Sequence, residues 1–428
     1  MGYTDREILS FIRDNDVKFV RLAFRDLFGR QKNIAIISSE LERAVTSGFA
    51  FDASSVRGFA GVERSDMFLA PDTGTLAVLP WRPGHGRVAR LYCDVVLPDG
   101  SPHPSDFRAA LRRAGERANK LGYTAEIGVE CEFYLFKTDE AGKPTDVPLD
   151  EGGYLDVSPL DMGENVRREI CLALEGMGIT PESSHHERGA GQNEVDFRHS
   201  GALAAADNLM TLKSVVRAVA QSSGLSASFL PKPLADQASS CLHINISLKK
   251  NGENVIKLPD GEHSPEAGAF MAGILARAAE LGAFTNPIPN SYDRLRSPGA
   301  PKYVSWSHQN RSALIRIPAG ERDRARIELR SPDPSLNPYL AFYLLLMAGL
   351  DGIEEGLAPP PPSDGNLFEG SPGLPRLPET LPEALSLAAG SAFVAKYVNE
   401  YALSRYFAGK EAEKAEEIRK AVLSCEAY

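Results

Sequence analysis

The stretch "GVECEFYLF" (residues 128–136) alternates polar with apolar side chains, and that alternation sets the fold class. Successive side chains on a strand point to opposite faces. Glu130, Glu132 and Tyr134 therefore share one face, and Val129, Cys131, Phe133 and Leu135 the other. Three more stretches repeat the pattern. In "NEVDFRH" (193–199), Glu194, Asp196 and Arg198 oppose Val195 and Phe197. In "SCLHINISL" (240–248), Cys241, His243, Asn245 and Ser247 oppose Leu242, Ile244, Ile246 and Leu248. In "RIELRS" (326–331), Arg326, Glu328 and Arg330 oppose Ile327 and Leu329. Any one of these strands fits an antiparallel sheet with a solvated face. Together they favour a different arrangement, because the polar faces carry Glu, His and Arg and almost no Lys. Glu130 and Glu132 repel one another on one face unless a cation lies between them. The expectation is a curved antiparallel sheet whose polar face lines a cavity containing metal ions.

The stretch "SSHHERGAGQNEVDF" (183–197) adds Glu187, which with Glu194 can grip a divalent cation from two sides of a tight turn. Glu130, Glu132, Glu187, Glu194, Glu328 and His243 form a mostly oxygen ligand set, which suits Mg2+ or Mn2+ better than zinc or copper. So many carboxylates exceed the needs of a single Mg2+, so two or three ions per site are expected. Beside the acids runs an arginine series: Arg294, Arg296, Arg311, Arg316, Arg322, Arg324, Arg326 and Arg330. Guanidinium groups grip carboxylate and phosphate and stay charged when partly buried; Arg322 and Arg324 read equally well as plain surface residues. Metals plus arginines, without a Walker or kinase glycine loop, point to ATP held for phosphoryl transfer.

The rest of the 428-residue chain bounds this reading. The net charge of −10 provides no general basic field for nucleic acid or an anionic membrane. Cys93, Cys131, Cys171, Cys241 and Cys425 are scattered and suggest neither a disulfide framework nor a zinc ribbon. For Cys131 and Cys241, inert packing is favoured over reactivity. No signal peptide is visible in "MGYTDREILSFIRDND", and "YLAFYLLLMAGL" (339–350) is too short to cross a bilayer and reads as a buried helix. A cytoplasmic protein is expected. The runs "VKFVRLAF" and "RVARLYCDVV" mark a small, mostly β unit ending near Gly100. At "PSDFRAALRRAGERANKLGY" (104–123) the period becomes helical, with Ser105 placed to cap the start and Gly122 to stop it. Strands and helices then alternate to residue 356, a proline-rich surface loop spans 358–382, and a charged helical segment closes the chain. The class is α+β.

At these residues the chain resembles a known family. "GVECEF", "SSHHERGAGQNE", "FLPKPLADQASSCLHINISL", "NRSALIRIP" and "RIELRSPDPSLNPYLAF" resemble, in order and spacing, the catalytic signatures of the glutamine synthetase family. "FDASSVRGFAGVERSDM" resembles its small N-terminal β-grasp domain. The resemblance implies a β-grasp domain over residues 1–103 and a catalytic domain over 104–428. It also implies self-association into hexameric rings, commonly stacked as dodecamers, with sites shared between neighbouring subunits. ATP would phosphorylate the γ-carboxylate of glutamate, and ammonia would attack the acyl phosphate. Carried over position by position, Glu132, Glu187 and Glu194 form a first metal site, and Glu130, His243 and Glu328 a second. Glu182, Asn245, Ser247, Arg316 and Arg326 fall at ATP-contacting positions, Asn245 standing where the family usually has His. Arg311 steadies the transferring phosphoryl group, and Arg294, Arg330 and Ser239 fall at substrate-binding positions. Asp52 of an adjacent subunit helps bind ammonium and takes its proton. His185 and His186 read as supports behind the ligands.

Three departures from the pattern bear on the acceptor. The substrate loop, usually Asn-Gly-Ser-Gly, is Ala238-Ser239-Ser240-Cys241, which disfavours any positive φ there. The flap, "RLRSPGAP" (294–301), is one residue short and lacks the expected glutamate. The family's adenylylated tyrosine aligns with Phe368, which has no hydroxyl to modify. The leading expectation is a glutamate–ammonia ligase acting on small molecules, with no nucleic acid or membrane partner. Alternatives are a γ-glutamyl–amine ligase taking a larger nucleophile, a catalytically silent member acting as a scaffold, and a metallohydrolase, which leaves the arginines unexplained.

Overall fold

The computed structural model describes residues 4–420 apart from 83 and 372. Helix α1 (Asp5–Asp14) begins at a capping box in which Thr4 and Glu7 satisfy each other's backbone donors. Strands β1 (Val17–Arg25) and β2 (Gln31–Ile37), helix α2 (Leu41–Ser47), and strands β3 (Phe49–Asp52), β4 (Asp66–Pro71), β5 (Ala77–Val78) and β6 (Arg87–Val96) come next. They form a six-stranded sheet in the order β2-β1-β6-β4-β3, with β5 against β6. The central pair, β1 and β6, is parallel, and Leu22 lies beside Leu91. Ile8 and Ile12 of α1 close over Val20, Leu22, Leu69 and Leu91 to give this unit its own core. Strand β3 is an edge, and Asp52 stands at its end.

Helix α3 (Phe107–Lys120) starts where the periodicity changes, but Asp106 caps it, not Ser105. The reason lies in the bonds each side chain makes. Asp106 accepts from the Arg108 amide through one oxygen and from the Val95 amide through the other, tying the helix start to β6. The Ser105 hydroxyl donates to the Gly58 carbonyl instead, at 2.7 Å.

Strand β7 (Thr124–Thr138) is the spine of the larger sheet. The remaining elements are β8 (Pro144–Pro148), α4 (Glu164–Gly176), β9 (Pro181–His186), β10 (Gln192–Gly201), α5 (Ala202–Ser222), β11 (Leu225–Ser228), β12 (Leu242–Lys250), β13 (Glu253–Asn254), α6 (Pro265–Thr285), α7 (Pro289–Arg296), β14 (Trp306–His308), β15 (Ile315–Ile317), β16 (Ile327–Leu329), α8 (Pro338–Glu355), α9 (Leu381–Ala389), α10 (Ala392–Tyr397) and α11 (Glu400–Lys420). The ten-stranded sheet runs β14-β15-β16-β12-β7-β10-β9, with β8, β11 and β13 off this path. All its pairings are antiparallel except β14 with β15.

The apolar faces read from the sequence are buried: Val129, Cys131, Phe133, Leu135, Val195, Phe197, Ile244, Ile246, Ile327 and Leu329 all join one continuous core with α3, α5, α6 and α8. The run 339–350 lies inside α8 and is wholly buried, as expected. Helices α6 and α8 touch backbone to backbone. A Cβ at Gly273 would lie 2.1 Å from the Ala348 carbonyl oxygen, so that crossing depends on the missing side chain. Among the described residues, α6 alone is long and apolar enough to cross a membrane, and 78% of its most apolar window is buried inside the protein.

Candidate active site

The sheet register assembles the site. Glu130 of β7 lies opposite His243 of β12 on one side and opposite Asp196 of β10 on the other. Glu132 lies directly opposite Glu194. Glu328 of β16 pairs with Asn245 of β12 and with Arg316 of β15. Two acidic strands, β7 and β10, thus meet side by side, with Glu328 one strand beyond β12, an arrangement a solvated sheet would disfavour.

Glu130, His243 and Glu328 offer ligand atoms within 4.8 Å of one another. His243 Nδ1 is 2.9 Å from Glu130 Oε2, and the Asn245 amide donates to Glu130 Oε1 at 3.0 Å. Burial opposes the Glu130 charge, but the bonds from His243 and Asn245 and the nearby Arg326 hold its carboxyl well below the usual carboxylate range. Glu328 is fully buried between two guanidinium groups. Arg316 Nε donates to it at 3.1 Å, and Arg330 Nη1 holds its other oxygen. There too, His243, Arg330 and Arg316 outweigh burial and keep the carboxyl low.

The second group is built differently. His185, Glu187 and Glu194 offer ligand atoms within 4.8 Å of one another, with His185 Nε2 3.0 Å from Glu187 Oε1. Glu132, the third carboxylate expected here, accepts from Gln192 Nε2 at 2.9 Å, from the Cys241 amide at 3.0 Å and from the Cys241 thiol at 2.7 Å. Among the described residues, no guanidinium pairs with Glu194. Burial, then the charges of Asp196, Glu132, Glu130 and Glu187, push its carboxyl up to about 11. Burial and the Glu187 charge also raise Glu132, and burial and Glu130 push Asp196 up to about 7. The turn carrying Glu187 closes at Gly191, where φ is +68°. Asp150 accepts from the Gly191 amide at 2.8 Å and lies 2.9 Å from His186 Nε2, so His186 braces the turn from behind.

The remaining expected residues are distributed unevenly. Arg326 Nε donates to the Asn245 side-chain oxygen at 3.0 Å, placing both beside Glu130. The Ser247 hydroxyl, farther along β12, donates to the Ala325 carbonyl. Glu182 is exposed on β9. Arg311 exposes its side chain while its carbonyl accepts from Arg330 Nε at 3.1 Å. Arg294 is buried and donates to the Ser331 and Arg330 carbonyls at 2.6 and 3.1 Å. Ser239 presents its carbonyl to Gln192. None of residues 238–241 takes a positive φ, and the Tyr134 hydroxyl holds the Ala238 carbonyl at 2.6 Å. Asp52 is exposed, lies opposite Asp66 across β3 and β4, and accepts from the Ser54 amide and hydroxyl. Phe368 is exposed in the 358–382 segment. Sequence reasoning gave no role to Gln192 or Asp150. Gln192 stands inside the quoted "GAGQNE" motif, whereas Asp150 carries no local signal.

Comparison with known proteins agrees along the whole chain. A family model described as glutamine synthetase, beta-grasp domain, matches residues 16–98, and one described as glutamine synthetase, catalytic domain, matches 104–428. Glutamine synthetase of Clostridium saccharobutylicum is 46% identical over 421 residues, covering 96% of this chain and 95% of the relative. That of Methanosarcina mazei is 46% identical over 420 residues, covering 96% and 94%. Among solved structures, a GmaS–ADP complex superposes with a TM-score of 0.87 at 31% identity, covering 97% of each chain. Plasmodium falciparum glutamine synthetase, seen by cryo-electron microscopy, also gives 0.87, at 25% identity, covering 98% of this chain and 97% of its own.

Proposed function

The chain belongs to the glutamine synthetase family, and from this we infer that it is an ATP-dependent ligase forming glutamine from glutamate and ammonia through a γ-glutamyl phosphate. The observation that carries the reading is the facing of Glu132 and Glu194 across β7 and β10, with no guanidinium paired to either among the described residues. Such a pair ionises comfortably only around a cation. The donor set of carboxylate oxygens with one imidazole fits Mg2+ or Mn2+. Glu132, Glu187 and Glu194 would hold one ion, and Glu130, His243 and Glu328 a second, with room for two to three per site. Bound divalent cations supply charge neutralisation at the phosphoryl oxygens.

The chain's own residues do the rest. Arg316, Arg326, Asn245, Ser247 and Glu182 bind the nucleotide, and Arg311, free to point outward, meets the transferring phosphoryl group. The γ-phosphate passes to the γ-carboxylate of glutamate, giving the acyl phosphate and ADP. Arg330 and Ser239 receive the acid substrate, and Arg294, bonded to the Arg330 carbonyl, fixes the backbone that carries Arg330. Ammonia then displaces phosphate. Asp52 from an adjacent subunit takes the proton, a role supported by its exposed place at the end of edge strand β3. This reading makes the protein a cytoplasmic, ring-forming enzyme, in hexamers stacked as dodecamers.

The test is product analysis. Purified protein with ATP, glutamate, ammonia and Mg2+ or Mn2+ should yield glutamine, with one ADP and one phosphate per product. No glutamine with either cation would overturn the reading. A primary amine outpacing ammonia would move the assignment to a γ-glutamyl–amine ligase, the activity for which a flap without a carboxylate leaves room.

A further inference from the structure

At the β14 edge of the sheet, in a group separate from the acidic clusters, two histidines and a glutamate converge. Strand β14 is four places from β7 in the strand order. Glu262, His263 and His308 offer ligand atoms within 4.8 Å of one another. His263 immediately precedes Ser264, the N-cap of α6, and its backbone bridges to Lys257. His308 ends β14. The His263 ring lies edge-on to Trp306 with centroids 4.9 Å apart, and 5.6 Å from the His308 ring. The same strand therefore holds His263 on two sides and fixes its orientation.

We propose that Glu262, His263 and His308 bind a borderline divalent transition-metal ion such as Zn2+, at a site separate from the catalytic carboxylates. The plainer account is an incidental surface pair, since His308 Nε2 lies 3.7 Å from Glu262 Oε2 and the Glu262 side chain is 70% exposed. An exposed pair of that kind contributes little. It also leaves the second observation unexplained: His263 Nδ1 is buried with no hydrogen-bond partner. A buried unsatisfied nitrogen is unfavourable, and ligation through Nδ1 would relieve it.

The donor chemistry selects the ion. Two imidazoles and one carboxylate suit Zn2+, whereas hard Mg2+ prefers an all-oxygen shell and binds such a site weakly. The catalytic face has the opposite balance, carboxylates with a single imidazole. Tetrahedral ligands at about 2.0–2.1 Å from zinc sit about 3.3 Å apart. The exposed Glu262 side chain can make that closure by rotation, and a fourth position stays open to water. The ion would join the turn before α6 to the end of β14, three residues ahead of Arg311.

The experiment compares full-length wild type with His263→Ala and His308→Ala proteins, titrated with Zn2+ by calorimetry in excess Mg2+ so that the catalytic carboxylates are occupied. Wild type should take up one more tightly held Zn2+ per chain, and each variant should lose that site by more than about 100-fold in affinity. Thermal unfolding in EDTA should be alike for all three, with a Zn2+-induced rise in Tm only in the wild type. The exposed Glu262→Gln change, which leaves the fold alone, should weaken the site by about 10-fold. Equal Zn2+ stoichiometry and affinity across wild type and variants would overturn the proposal, as would Zn2+ uptake abolished only by excess Mg2+.

Discussion

The two acidic groups on the polar sheet face share a strand, yet they solve the problem of buried charge in opposite ways. Around Glu130 and Glu328, the protein supplies its own cations: Arg316, Arg330 and Arg326 surround the carboxylates, which stay ionised. Around Glu132, Glu187 and Glu194 the described residues supply hydrogen-bond donors and one histidine but no paired guanidinium, and the buried carboxyls of Glu132 and Glu194 rise. The first group is stable as built. The second buries carboxylates with no guanidinium paired to them among the described residues, so a cation arriving from outside would stabilise it far more than the first.

The contrast can be broken most strongly on the balanced side. Glu328→Ala leaves Arg316 and Arg330 buried without their carboxylate, a loss of about 3–5 kcal/mol. Chemical denaturation should show that loss with or without metal, and turnover should fall by about 1,000-fold or more. On the unbalanced side the sign should reverse. Glu194→Gln removes a charge that the metal-free fold disfavours, so in EDTA at neutral pH the variant should gain about 2–4 kcal/mol. It should bind Mn2+ more weakly and turn over poorly. Equal destabilisation by both substitutions would erase the distinction.

A pH dependence follows from the same raised carboxyls. A carboxyl raised in the folded state binds its proton more tightly there than in the unfolded chain. Its stabilising contribution is therefore whole below the unfolded value and is lost as pH rises through the folded one. For Asp196 that window runs from the ordinary value of 3.8 to about 7, and for Glu194 from 4.5 to about 11. Metal-free protein should lose stability steadily as pH rises across these windows, and less steeply once Asp196 has ionised above about pH 7. Saturating Mn2+ should flatten the slope, and Glu194→Gln should remove its upper part. A metal-free stability that rises with pH over the same range would contradict the assignment.

Much of this architecture is legible in the chain itself. The period-two alternation in four short stretches defines which residues face the core and which face the site, because a strand allows only two sides. The long buried helix and the helical change near residue 107 are legible for the same reason. Local rules fail where partners come from far away. Ser105 and Asp106 both suit a helix start, and only the Val95 amide, donated from β6, decides between them. Glu132 does face Glu194, but its bonds to the Cys241 amide and thiol and to Gln192 could not be read locally, because they come from a distant loop and from the neighbouring strand. His263 and His308 lie on different elements and share no sequence spacing that would pair them.

Strand β7 has consequences for how the polypeptide is made. It hydrogen-bonds to β8, β10, β11 and β12, so the spine of the sheet is flanked only after residue 250 exists. The parallel β1–β6 pair likewise waits until residue 96. During synthesis the small N-terminal unit can therefore close early on the ribosome, while β7 meets β8 and β10 first and its β12 flank stays open until residues 242–250 are made. The carboxylates at 130 and 132 interrupt the apolar pattern of β7, and charges placed within a strand of this kind disfavour pairing between unfinished chains.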